Sequence, residues 1–219
     1  MKQIIFVVCL VFALAVPMSA QQLVLGNPSN ATNDTANSNN FLVVRPEFIL
    51  SYNRSRGTAN WVAWHLTKSD IGSIRKDAFH GDPLLPKDWR VSGSTWSPFQ
   101  RGHMCPSKDR STTLAINRET FVMSNMQPQT KELNEDTWGN LEDETRARVI
   151  NEGKEAYIYA GCYGSKGRVK NIAKRVTVPT HCFKIVVLLP ENVTGDVLLS
   201  ITVRGLQSNK VLVNIRPPP

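Results

Sequence analysis

Three side chains able to do hydrolytic chemistry, His103, Asn134 and Glu142, follow one another along this chain with arginines around them. They sit in the runs Gln100-Arg101-Gly102-His103-Met104, then Ser124-Asn125-Met126-Gln127-Pro128-Gln129, then Leu133-Asn134 with Trp138 and Leu141-Glu142. An imidazole, with an unperturbed pKa of about 6.5, can take a proton from water near neutral pH, and His103 is the natural general base. An asparagine carbonyl is a neutral, hard oxygen donor, and magnesium keeps most of its waters while taking one or two protein ligands. Asn134 therefore suits direct ligation, and Glu142 suits holding the metal's waters from slightly further off. Arg101 can grip a phosphate in a bidentate fork and oppose charge building on phosphorus. These residue types suit phosphodiester hydrolysis with one hard metal ion.

Each of them also has a plainer reading. Asn134 and Glu142 fit a solvated helix face, Arg101 fits a surface charge, and His103 fits a packed histidine; for His65, His80 and His181 that plainer reading is preferred. Cys105 beside His103 raises a Cys–His nucleophile, although both lie in a turn-prone Gly/Pro segment. A third class of reading is a secreted nucleic-acid or polyanion binder without catalysis.

The groups need elements to hold them. Phe48–Tyr52 and Asn60–Leu66 read as strands of a hairpin closed by the polar turn 53–57. Residues 67–98 form a long, polar, Gly/Pro-punctuated stretch, whose length points to a working loop. Phe121–Met126 reads as a short strand, and residues 134–151 as a surface helix ending near Gly153. On a regular helix, Asn134 and Glu142 lie about 80° apart around the axis, so both can face one site. Residues 157–160, 176–178, 183–189, 197–203 and 211–215 read as further strands, giving an α+β fold with a central, largely antiparallel sheet.

Ahead of this lies a different composition. Lys2, the apolar run Ile4–Val16 and the small residue Ala20 have the build of a secretory signal peptide over residues 1–20. Residues 21–40, rich in Asn, Ser and Thr, read as a flexible leader. The remaining residues, 41–219, suffice for one domain. The expected mature protein is soluble, secreted or periplasmic, and without stable membrane association. Removing Lys2 with the signal leaves 25 basic against 18 acidic residues, a formal charge of +7 that favours phosphate polyanions. Cys105, Cys162 and Cys182 remain in a compartment that permits disulfides; if the strands beside Cys162 and Cys182 pair antiparallel, those two sulfurs can meet.

The segments Asn60-Trp61-Val62-Ala63-Trp64-His65-Leu66-Thr67, Arg101-Gly102-His103, Asn125-Met126-Gln127-Pro128-Gln129, and Asn134 with Trp138-Gly139-Asn140-Leu141-Glu142 resemble the non-specific DNA/RNA endonucleases of the ββα-metal (His-Me finger) group. Several ordered motifs are far more specific than one short pattern. The resemblance implies a sheet flanked by helices, with two strands and a helix gripping one magnesium ion (Mg2+), for which manganese can substitute. It implies His103 as general base, Asn134 as direct metal ligand and Glu142 as the carboxylate orienting metal-bound water. Arg101 and Arg146 correspond to substrate-binding arginines, Asn125 helps shape the site and bind substrate, and Arg75 maps onto the arginine that steadies the transition state. DNA and RNA are the implied substrates, with 5′-phosphorylated products. Two departures stand out: Gln100 replaces the family's usual Asp before Arg-Gly-His, and the chain stops at Pro217-Pro218-Pro219 where relatives continue. The alternative under this resemblance is a binding protein on an inactive nuclease fold.

Overall fold

In the computed structural model, residues 22–169, 176–191 and the backbone of 211–213 are described. Strands β1 (Phe41–Val44), β2 (Ile49–Asn53) and β3 (Thr58–Leu66) form an antiparallel meander. Its second turn is closed by Gly57, whose φ of 69° is a conformation that glycine takes without steric cost. Strands β6 (Lys154–Tyr163) and β7 (His181–Pro190) continue it antiparallel, and β8 (Val211–Val213) adds in parallel, giving the order β1-β2-β3-β6-β7-β8. The remaining two strands, β4 (Gln100–His103) and β5 (Met126–Gln129), form a separate antiparallel ribbon. Among the described residues two α-helices complete the frame: the short α1 (Leu114–Glu119) and α2 (Gly139–Asn151).

Both faces of the large sheet are covered around its central strands, so β2, β3 and β6 are buried almost continuously rather than on alternate residues. Leu50 and Tyr52, Val62, Trp64 and Leu66, and Ile158 and Ala160 project to one core shared with Trp138 and Val149 of the helical layer. Ile49, Trp61, Ala63 and Tyr159 project to the other side, where Leu23, Leu25 and Ala31 cap them. Residues 22–40, expected as a flexible leader, thus hold anchors on the sheet, with Gln22 and Ala31 buried and most other residues exposed. A few apolar anchors suffice because amide side chains take over backbone pairing. Asn27 both donates to the Ala31 carbonyl and accepts from its N–H (2.9 and 3.0 Å), and Trp61 Nε1 donates to Ser29 Oγ at 2.8 Å.

The hairpin and the β6–β7 pairing match expectation. Their register sets Cys162 opposite Cys182, and the two are joined as a disulfide. In the chain-entropy account, closing a loop of this size constrains the unfolded chain by about 3 kcal/mol.

Other expectations need correction. Of the expected strand 121–126, Val122 makes only a bridge to His80, and Met123–Asn125 is a 3-10 turn; the strand proper begins at Met126. Polar side chains bend the chain there, since Ser124 Oγ bonds Asp82 and Asn125 bonds backbone on two sides. Residues 176–178 contribute one bridge, Arg168 to Thr177, rather than a strand. The expected strand 197–203, the tail 214–219 and the signal segment 1–20 lie outside the described residues. Among the described residues no helix is long and apolar enough to cross a membrane.

The long stretch 67–98 contains only the 3-10 turns Lys68–Asp70 and Lys87–Trp89, yet it is firmly anchored. Buried Arg45 ion-pairs with Asp82 and with Glu119, and Asp82 also accepts from the Leu84 N–H at 2.9 Å. This pins the loop that carries Arg75 and Phe79 toward the β4–β5 ribbon.

Candidate active site

The β4–β5 ribbon runs from Gln100 opposite Gln129 to His103 opposite Met126, and the helical segment begins directly after it. Gly102 leaves room for a neighbouring side chain: a Cβ there would lie 1.9 Å from Oε1 of buried Gln129, so any larger residue would require the Gln129 side chain to move. The expected uniform helix 134–151 is instead a π-helical turn, Glu132–Trp138, running into α2. Such wide turns are frequent at functional sites, and the lower rotation per residue brings Asn134 and Glu142 closer to one face than a regular helix would.

Arg75, Arg101, His103, Asn134, Glu142 and Arg146 all line a single cavity of about 630 Å³. The seventh expected residue is placed differently. Asn125 is fully buried, with its Nδ2 donating to the Cys105 and Thr120 carbonyls (2.9 and 2.8 Å) and its Oδ1 accepting from the Cys105 N–H (2.9 Å). Its own carbonyl accepts from the Met104 N–H at 2.9 Å. Asn125 thus shapes the site by clamping the backbone after His103 and has no polar atom left for substrate.

His103 packs edge-on against Phe121, with centroids 4.8 Å apart, and its Nε2 is buried without a partner among the described residues. Burial first, and then the charges of Arg75, Lys184 and Arg101, push its pKa down to about 3. The imidazole is therefore neutral at physiological pH. Arg101 lies over the Phe79 ring, 3.5 Å from its centroid, and donates to the Gly93 carbonyl at 2.5 Å. Arg75 is half-exposed, held by Asp77 at 3.0 Å and Ser107 at 2.8 Å. Arg146 is buried and committed to Asp109 and Asp143, at 2.6 and 2.7 Å, so it has less freedom to turn to a phosphate than the other two.

Asn134 Nδ2 donates to Gln100 Oε1 at 2.7 Å, and Gln100 Nε2 donates to Glu135 Oε1 at 2.5 Å. This relay holds the Asn134 amide by its nitrogen and leaves its side-chain carbonyl oxygen without a hydrogen bond among the described residues. Glu142 is ion-paired through Oε1 to Lys184. Burial raises the Glu142 pKa, and Lys184 is the strongest influence lowering it again. One unencumbered amide oxygen with a carboxylate nearby is a hard-oxygen donor set, which fits magnesium or manganese.

Cys105 is fully buried, and burial pushes its thiol pKa far above the usual range. That removes the Cys–His nucleophile, since the thiolate is the reactive form. Lys184 was not among the expected site residues. Its signal was present as one lysine inside the otherwise apolar run 183–189.

Residues 26–210 match the family profile described as DNA/RNA non-specific endonuclease. The chain belongs to that family. It is 43% identical over 206 residues to a nuclease of Nostoc sp., covering 92% of this chain and 72% of that one. It is 30% identical over 192 residues to nuclease C1 of Cunninghamella echinulata, covering 80% of this chain and 72% of the other. A chain in the crystal structure of an EndoG/EndoGI complex matches with a TM-score of 0.63 at 23% identity, covering 78% of this chain and 77% of that chain. That last likeness supports the fold of this endonuclease family member, a mixed α/β body with a large, largely antiparallel sheet.

Proposed function

We propose that this endonuclease is exported, depends on magnesium, and hydrolyses phosphodiester bonds of both DNA and RNA with little sequence preference, leaving 5′-phosphate ends. Manganese serves in place of magnesium. The observation that carries this reading is the convergence of His103, Asn134, Glu142 and three arginines on one cavity.

His103, neutral above its depressed pKa, takes a proton from the attacking water. The water oxygen bonds to phosphorus, the bond to the 3′ oxygen breaks, and that oxygen picks up a proton from solvent. Arg101 and Arg75 hold the phosphate oxygens and oppose the charge that grows on them. A bound phosphate also offsets the arginine charges that depress His103, making it a better base when substrate is present. A magnesium ion held by Asn134, with Glu142 orienting its waters, would supply Lewis-acid stabilisation of that charge. Contacts made to phosphates carry no base identity, which supports low sequence preference. The Cys162–Cys182 disulfide and the signal-like residues 1–20 support export.

Digestion of plasmid DNA and of ribosomal RNA, with and without chelator, tests the reading. Cutting of both that stops with chelator and returns with magnesium is expected. Retardation of the nucleic acid without cutting would establish the inactive binder instead.

Gln100 gives a narrower prediction. It contacts the proposed metal ligand Asn134, so a carboxylate at this position adds negative potential at the metal while still accepting from the Asn134 amide. Gln100→Asp is expected to lower the half-saturating magnesium concentration at saturating DNA and, through repulsion of phosphate, to weaken DNA binding at low salt. An unchanged or weaker magnesium response would show that Gln100 does not stand in for a site charge. Glu135, the present acceptor of the Gln100 amide, opposes the gain.

A further inference from the structure

On β7, Cys182, Lys184 and Val186 are buried and point to the same core, because alternate residues share a face. Lys184 thus takes a position that the alternation assigns to an apolar side chain, and it is only 1% exposed. Its ammonium lies 4.2 Å from the ring centroid of Trp138 and 5.5 Å from that of Trp64, and ion-pairs with Glu142. Burying a cation is costly, and for stability alone an apolar pair of similar volume does as well or better than a buried ion pair. Stability alone therefore does not account for the pair, and its partner Glu142 also lines the active-site cavity.

We propose that Lys184 is a positioning residue that holds the Glu142 carboxylate, through Oε1, in the orientation from which Oε2 faces the metal's waters. Glu142 lies in the first turn of α2, directly after the π-helical turn, and Lys184 lies on β7, so the ion pair ties this helix residue to the central sheet. Two indole faces confine the ammonium and leave Glu142 as its one carboxylate partner among the described residues. Groups that orient a metal's immediate partners typically matter about 10–100-fold in metal affinity or activity. The inference rests on the metal-dependent reading above.

The test compares Lys184→Met, Lys184→Arg, Glu142→Gln and the Lys184→Met/Glu142→Gln protein. Magnesium binding is measured by calorimetry on DNA-free protein, kcat and KM on DNA at saturating magnesium, and folding by near-ultraviolet circular dichroism. Lys184→Met is expected to weaken magnesium binding and lower kcat by about tenfold or more while KM for DNA changes little, with partial recovery in Lys184→Arg. In the Glu142→Gln background the same substitution should cost less than about twofold further in kcat, because its effect passes through Glu142. A folded Lys184→Met protein with wild-type magnesium affinity and kcat overturns the proposal, as does an equal loss in both backgrounds. If Lys184→Met alone does not fold, the double variant, which leaves no unpaired charge, decides by its kcat relative to Glu142→Gln. A wild type that cuts fully in chelator overturns the metal-dependent function itself, and this inference with it.

Discussion

A folded His103→Ala protein is expected to cleave DNA about two to four orders of magnitude more slowly than wild type, the usual share of general-base catalysis. The loss should fall on kcat, with DNA retention kept, because Arg75 and Arg101 remain in the cavity. His103 is partly exposed and its removal leaves the Phe79–Phe121 edge contact in place, so folding should survive. The pH dependence follows from its pKa, which is pushed from 6.5 down to about 3. Between these values the unfolded chain holds the proton and the folded chain does not, so stability is present above the unfolded pKa and is lost as pH falls toward 3. The acidic limb of kcat/KM, which reports the free enzyme, should accordingly lie below pH 6.5, and His103→Ala should flatten the acid side of the stability profile. Near-wild-type turnover by folded His103→Ala would remove the residue from the base role.

The candidate site was legible as a grouping because its residue types are few and their order is specific: six of the seven expected residues line one cavity. Asn125 was legible as part of the pattern but not in its contacts. An asparagine that serves backbone and one that serves substrate look alike in sequence, and only the bonds to Cys105 and Thr120 tell them apart. The π-helical turn was hidden for a related reason, since residues 132–138 carry no signal that separates an i→i+5 turn from an α-helix. The sheet contacts of residues 22–40 were not legible because composition counts apolar residues and overlooks amides that mimic backbone. β1 was missed because residues 41–44 are short and follow that stretch directly. The parallel pairing of β8 was not legible because the residue pattern of a short strand does not tell which neighbour it pairs with or in which direction.

Asn134 and Glu142 should respond differently when each is replaced, and Lys184 dictates which replacement is informative. Asn134→Ala removes the free carbonyl oxygen and one hydrogen bond to Gln100, a stability change of about 1 kcal/mol. If that oxygen is the direct metal ligand, kcat/KM should drop by roughly a hundredfold or more, since a metal supplies several kcal/mol of charge stabilisation. Extra magnesium should restore little. Glu142→Ala leaves the buried Lys184 ammonium without its carboxylate, a loss of about 3–5 kcal/mol that would confuse unfolding with lost catalysis. Glu142→Gln removes the charge that orients water and the counter-charge of Lys184, but it keeps an oxygen to accept from the ammonium, so it should destabilise less than Glu142→Ala. Its activity should fall by about 10–100-fold and recover substantially as magnesium is raised. Thermal melts of all three proteins, run beside magnesium titrations of cleavage, separate the terms. Asn134→Ala should melt near wild type yet resist rescue, Glu142→Gln should be rescued, and Glu142→Ala should melt early. Titrations in which Asn134→Ala and Glu142→Gln both track the wild type would take the pair out of the metal site.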